Sequence, residues 1–177
     1  MKIEILRHPT DEDWKRCKAL ALNTMGKQYT GEEITQEWKR KILFAGHSPI
    51  RTLMFTIKME VPYFVSVHFV RHKFGVEHYV QSQRNDRQNK YKREDQSQAA
   101  VVTHIMDVNA AELIQIAQMR LCHKAYAPTR MVMKEIVKEV LWYNPEFYDV
   151  LKPKCFVWGK CNEFNSCGLV KTIEDQK

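Results

Sequence analysis

The change of hydrophobic period at Pro62 limits what this chain can fold into more than any other feature. In "TLMFTIKMEV", Leu53, Phe55, Ile57 and Met59 alternate with more polar neighbours, the pattern of a strand with one face buried. Pro62 suits the first turn of a helix, and "PYFVSVHFVRH" continues that helix toward a run rich in cations. "KIEIL" reads as an opening strand and "VVTHIMDV" as a later one. Between them the period is helical. Trp14, Cys17, Leu20, Ala21 and Met25 mark a helix from Asp11 to about Met25. Ile34, Trp38 and Ile42 mark another from about Glu32 to Ala45, which Gly46 stops. Asn109 with Glu112 makes a cap for a helix through about Cys122. Pro128 opens one with an apolar stripe of Val132, Ile136, Val137, Val140 and Leu141. Helices alternating with few strands define an α+β class. The 177 residues make a single domain, 1–177, large enough to bury a core. Residues 84–98 are almost wholly polar and read as an exposed loop. The tail 152–177 contains Cys155, Cys161 and Cys167 and two glycines, with no regular structure assigned.

Charge narrows the partners. A net charge of +7 calls for something anionic: a nucleotide, a phosphate-bearing cofactor, nucleic acid or an acidic membrane. No stretch has the length of a signal peptide or a membrane span, so the expected location is the cytoplasm, or the host cytoplasm if the source is viral. Five cysteines, an odd number, fit reduced thiols. Cys155, Cys161 and Cys167 are separated by five residues each, which is not a standard zinc spacing, and no metal is expected. Glu94 and Asp95 interrupt the basic run "RQNKYKRED", and no zinc finger, RNP signature or helix-turn-helix is present, so nucleic acid is not the expected partner. Walker A and GxGxxG loops are also missing, as is any hydrolase nucleophile turn.

Two places carry chemistry. "RHKFGVEHYVQSQR", residues 71 to 84, brings Arg71, His72, Lys73, His78, Ser82 and Arg84 into one short run. Cations at a helix end complement its dipole, which accounts for Arg71 and His72 but not for Ser82 and Arg84. Arginine forks and serine hydroxyls suit phosphate, so an anion site and a solvated loop both remain open on the residues alone. Arg120, at the end of a largely apolar helix, is either a snorkelling side chain or a cation aimed into a cleft.

The same run resembles the RHR-x7-S signature of flavin-dependent thymidylate synthases (ThyX). "GHSPIRTLMFTIKMEVPYFVSVHFVRHK" is similar to that family's H-S/T-P segment, strand, helix and RHR motif, and "VNAAELIQIAQMRLCHKAYAPTR" to its later VNAR…LR…AQWEIR segment. The matches keep their order and span most of residues 46 to 130. The resemblance implies a mixed helix and antiparallel-sheet domain assembling as a homotetramer with shared active sites. It implies conversion of dUMP to dTMP with methylenetetrahydrofolate as carbon donor, FAD as redox carrier and NADPH as reductant. By position, Arg71, His72, Lys73, His47, Asn109 and Gln115 would lie on the flavin side. Ser82, Arg84, Arg93, Arg120 and His68 would hold dUMP, with Arg120 and Ser82 the catalytic candidates. Arg120 would stabilise charge developing on the uracil. FAD would carry the redox chemistry, so no nucleophilic cysteine is required.

Departures from the family pattern are specific. Lys73 replaces an Arg, one extra residue separates it from Ser82, Arg51-Thr52 replace a Glu-His pair, and Ala111 replaces an Arg. His68 stands where a Gln is frequent, and Tyr126 replaces the Gln of AQWEIR. An altered pyrimidine product, such as a hydroxymethylated one, and a noncatalytic nucleotide- or nucleic-acid-binding homologue are the alternatives.

Overall fold

The computed structural model describes residues 1–87 and 92–170. Parts of the expected loop 84–98 and of the expected tail 152–177, namely residues 88–91 and 171–177, lie outside the described residues. In chain order the elements are β1 (Lys2–Arg7), α1 (Asp11–Asn23), α2 (Gln36–Ala45), β2 (Met54–Pro62), α3 (Tyr63–Phe69), β3 (Val76–Val80), β4 (Val101–Asn109), α4 (Ala110–Arg120), α5 (Ala127–Tyr143) and α6 (Lys154–Trp158). Short 3₁₀ turns at Ser48–Thr52, Arg93–Asp95 and Pro145–Asp149 join them.

The four strands form one antiparallel sheet in the order β1-β2-β4-β3. Alternation on β2 and β4 decides which face is buried. Phe55 pairs with Val108, Ile57 with Met106, Met59 with His104 and Val61 with Val102, and all eight are buried. Each such apolar side chain contributes about 1.5–3 kcal/mol by leaving water. The opposite face is polar: Thr56 Oγ1 donates to Asp107 Oδ1 at 2.7 Å, and Lys58 faces Glu4. Helices cover only the apolar face. Trp14 from α1 packs on Phe147, 6.2 Å between rings, and Phe147 meets Phe55 edge-on at 5.3 Å. Leu113 and Ile116 of α4 and Val132, Ile136 and Val140 of α5 complete the core.

Several boundaries differ from the sequence reading. The second helix starts at Gln36, not near Glu32, because Thr35 accepts from Trp38 N at 3.2 Å and caps it there. Ile34 precedes the helix but still packs on the core. α3 stops at Phe69, so Arg71-His72-Lys73 lie in the turn beyond it. α1 and α4 end two residues earlier than expected, at Asn23 and Arg120. Strand β3 was not anticipated, nor was α6 inside the tail.

Candidate functional site

The turn after α3 is built around Gly75. Its φ of +72° is a left-handed conformation, and a Cβ there would lie 2.3 Å from Asn109 Nδ2. Glycine alone fits both conditions. Asn109 N donates to Gly75 O at 2.9 Å, while Asn109 Oδ1 accepts from Glu112 N at 2.9 Å and caps α4. The first turn of α4 then presents the Glu112 carboxylate to His72 Nδ1, 3.0 Å away. One compact unit thus joins Gly75, Asn109, Glu112 and His72.

His72 is buried between the exposed Arg71 and Lys73. Burial pushes its pKa down to about 4, helped by Arg120 and then His78. Burial likewise raises the Glu112 carboxyl. A charged pair would shift both groups the other way, so the contact is read as a neutral imidazole donating Nδ1–H to the carboxylate. His72 Nε2 is then a buried acceptor without a protein partner.

Behind the turn runs a chain of hydrogen bonds. His78 Nε2 donates to His72 O at 2.9 Å. His78 Nδ1 shares a 2.9 Å hydrogen bond with His104 Nε2, and His104 Nδ1 shares one of 3.0 Å with Ser66 Oγ. Burial, followed by His78, holds the pKa of His104 at about 4.

Arg120 reaches the same end of α3 from the opposite side. Its Nη2 donates to His68 O at 2.9 Å, and its Nε is buried without a partner. His68 Nδ1 shares a 2.7 Å hydrogen bond with Thr129 Oγ1, and its ring meets Tyr126 edge-on. Burial and then Arg71 push the Arg120 guanidinium down, and burial, Arg120 and Arg71 together lower His68. Two guanidiniums and two imidazoles meet here, an arrangement an anionic ligand would stabilise.

Next to Gly75 lies an open pocket of ≈ 290 Å³, lined by Arg51, Asn109, Ala111, Glu112 and Gln115 among others. It brings Asn109 and Gln115 together. His47 is exposed at the start of the Ser48–Thr52 turn and is not among the residues lining this pocket.

The remaining expected residues form a second group. Arg84 is exposed and forks onto Asp86 at 2.9 and 2.7 Å, and Arg84 N donates to Ser82 Oγ at 3.3 Å. Arg93 lies over the Tyr63 ring at 5.5 Å and donates to Gln83 Oε1. Ser82, Arg84 and Arg93 are thus drawn together, with Gln83 as a buried strut. Tyr63 begins α3 and His68 lies near its end, so about 7.5 Å of helix axis separates the two anchoring residues. Sequence reasoning missed Ser66, His104 and Thr129, gave His78 and Gln83 of the 71–84 run no role of their own, and saw Glu112 only as a capping residue. His104 did carry a signal: it is the one polar residue at an inward position of β4.

The fold is similar to that of two solved enzymes. The UMP/dUMP methylase PolB from Streptomyces cacaoi, bound with 5-Br dUMP, superposes with a TM-score of 0.65 at 13% identity, covering 84% of this chain and 93% of that one. Thymidylate synthase X from Helicobacter pylori, with FAD and dUMP, superposes with a TM-score of 0.63 at 10% identity, covering 86% of this chain and 100% of that one. At such identities the likeness is one of fold. No protein-family model and no curated protein matches the sequence.

Proposed function

We propose that this chain is a flavin-dependent enzyme that methylates dUMP to dTMP, with methylenetetrahydrofolate as carbon donor and NADPH as reductant. The observation that carries the reading is a built cationic site on this fold. His72 Nε2 and Arg120 Nε, both buried and unpartnered, stand at the end of α3 beside Arg71. The sharing of the fold with a UMP/dUMP methylase and a thymidylate synthase supports the substrate class.

FAD fits the flavin-side residues. His72 Nε2 offers a desolvated acceptor, and Arg71 and Lys73 offer exposed cations for its phosphates. Asn109 and Gln115 open onto the ≈ 290 Å³ pocket, where Arg51 supplies a guanidinium close to Ala111, the position at which the family carries an Arg. His47, which lies outside that lining, is included on the resemblance alone. When bound, FAD supplies the redox chemistry.

The chain's own residues position and polarise. Arg84 is held as a fork by Asp86 and exchanges that carboxylate for the dUMP phosphate, with Ser82 and Arg93 beside it. Arg120, oriented by the His68 carbonyl, stabilises negative charge on the uracil, and His68 and Ser82 contact the nucleotide. The protein is proposed to act as a homotetramer with shared sites.

The test is a product assay read by mass, with FAD, NADPH, methylenetetrahydrofolate and either dUMP or UMP. The reading expects dTMP from dUMP. A hydroxymethylated product, or turnover of UMP alone, would replace it with the related pyrimidine reading, which His68 at a frequent Gln position favours. A protein that binds no FAD in its native assembly would end the flavoenzyme reading.

A further inference from the structure

Four of the five cysteines line one pocket of ≈ 180 Å³ at the far end of α4. Cys122 comes from the connection after α4, Cys155 from α6, and Cys161 and Cys167 from the tail beyond it. Lys124 Nζ donates to Asn165 O at 2.6 Å and ties the tail to that connection. Cys17, the fifth, is buried in the core under α1.

The tail poses a stability problem that its apolar residues do not solve. Phe164 is 100% exposed, and Phe156, Trp158 and Leu169 are more than half exposed. Hydrophobic burial therefore does little to hold this segment, and a small loop-rich unit without a core needs a disulfide or a metal. Among the described residues of the tail the buried side chain is Cys161, 6% exposed. Lys124, Arg130, Lys134 and Lys154 line the same pocket against one acidic residue, Glu163.

We propose that Cys122, Cys155, Cys161 and Cys167 form a tetrathiolate site for one structural Zn²⁺. Binding converts Zn²⁺ and four thiols into a zinc tetrathiolate of charge −2 and releases four protons, with no oxidant required. The surrounding lysines and arginine balance that charge. Among the described residues no three of these donors stand together as a ready metal site, so binding gathers all four sulfurs of the pocket around the ion. Zinc suits the position because it is redox-inert and prefers four thiolates in closed structural sites. Cys122 follows Arg120 by two residues, so the site also clamps the end of α4 that carries Arg120.

The test uses the full chain, purified under reducing conditions from zinc-supplemented cells. One zinc per chain is expected by elemental analysis, freed in step with four thiols as a mercurial reagent is added. Cobalt in its place should give the ligand-field spectrum of a tetrahedral thiolate site. Cys155→Ser and Cys161→Ser should lose the metal and leave the tail open to limited proteolysis, while Cys17→Ala keeps both. Metal-free protein whose four pocket thiols all react freely would overturn the proposal. So would two disulfides, iron with labile sulfide, or a metal retained by Cys155→Ser. None of these readouts depends on nucleotide turnover.

Discussion

Both ring nitrogens of His104 are engaged inside the core, by Ser66 and by His78. Burial holds His104 and also His72 neutral down to about pH 4. In the unfolded chain both would take protons as the pH falls through about 6.5. The unfolded state therefore binds more protons between those two values. The stabilisation is complete above about 6.5 and drains away as the pH falls toward about 4, on the order of 2 kcal/mol per imidazole. Glu112 acts in the opposite sense: with its carboxyl raised by burial, it costs stability as the pH rises through its own titration and offsets part of the slope. Urea midpoints should drop clearly between about pH 7 and about pH 5, and an unchanged midpoint would show that His72 and His104 are not held neutral by the fold. Arginine roles separate kinetically. Arg84→Ala should weaken dUMP binding about ten- to a hundredfold and leave the FAD titration nearly unmoved. Arg120→Ala should cut kcat by about a hundredfold or more with a smaller effect on KM. Equal losses of FAD and dUMP affinity in the Arg84 variant would show that the division of the 71–84 run is wrong.

Among the elements, the joint between the turn after α3 and the start of α4 has the least tolerance. Gly75→Ala forces an L side chain into the left-handed region and drives its Cβ into Asn109. The expected loss is about 2–3 kcal/mol, seen as a lower thermal midpoint. Asn109→Ala should cost about 1 kcal/mol by removing the cap, and Asn109→Ser should restore most of it. If the Ser variant folds normally yet binds FAD poorly, the Asn109 amide nitrogen serves the cofactor as well as the fold. The cap itself was legible in the sequence, because Asn109 and Glu112 are three residues apart and follow a strand. So were β2, β4 and the core face of α5, whose periods are long and regular. Strand β3 was hidden for a physical reason. Its half-buried central residue is His78, held by a hydrogen bond to His104 where a strand pattern would show an apolar side chain. The bonding of Glu112 to His72, and of Gln83 to Arg93, was equally invisible, since no local pattern encodes which distant side chain a carboxylate or amide will meet.

At the scale of the whole molecule, α3 separates two groups of candidate ligands, and the proposed homotetramer gives that separation a testable meaning. Ser82, Arg84 and Arg93 gather at its first residue, while Arg71, His72 and Arg120 gather at its last turn. In the proposed homotetramer one nucleotide draws its phosphate ligands from one subunit and its ring ligand from another. Such an arrangement has a genetic signature that a single-chain site lacks. Arg84→Ala and Arg120→Ala homotetramers should each be nearly inactive. Co-expressed and purified as mixed tetramers, they should regain activity, because a site can take Arg84 from one chain and Arg120 from its neighbour. With random assortment, about one quarter of the sites carry both arginines. If both residues instead served a site within one chain, every chain in the mixture would lack one of them. The mixed protein would then be no more active than the variants alone. A light-scattering mass accompanies the experiment: recovered activity in particles of tetrameric mass supports shared sites, and recovery in a monomer would refute them.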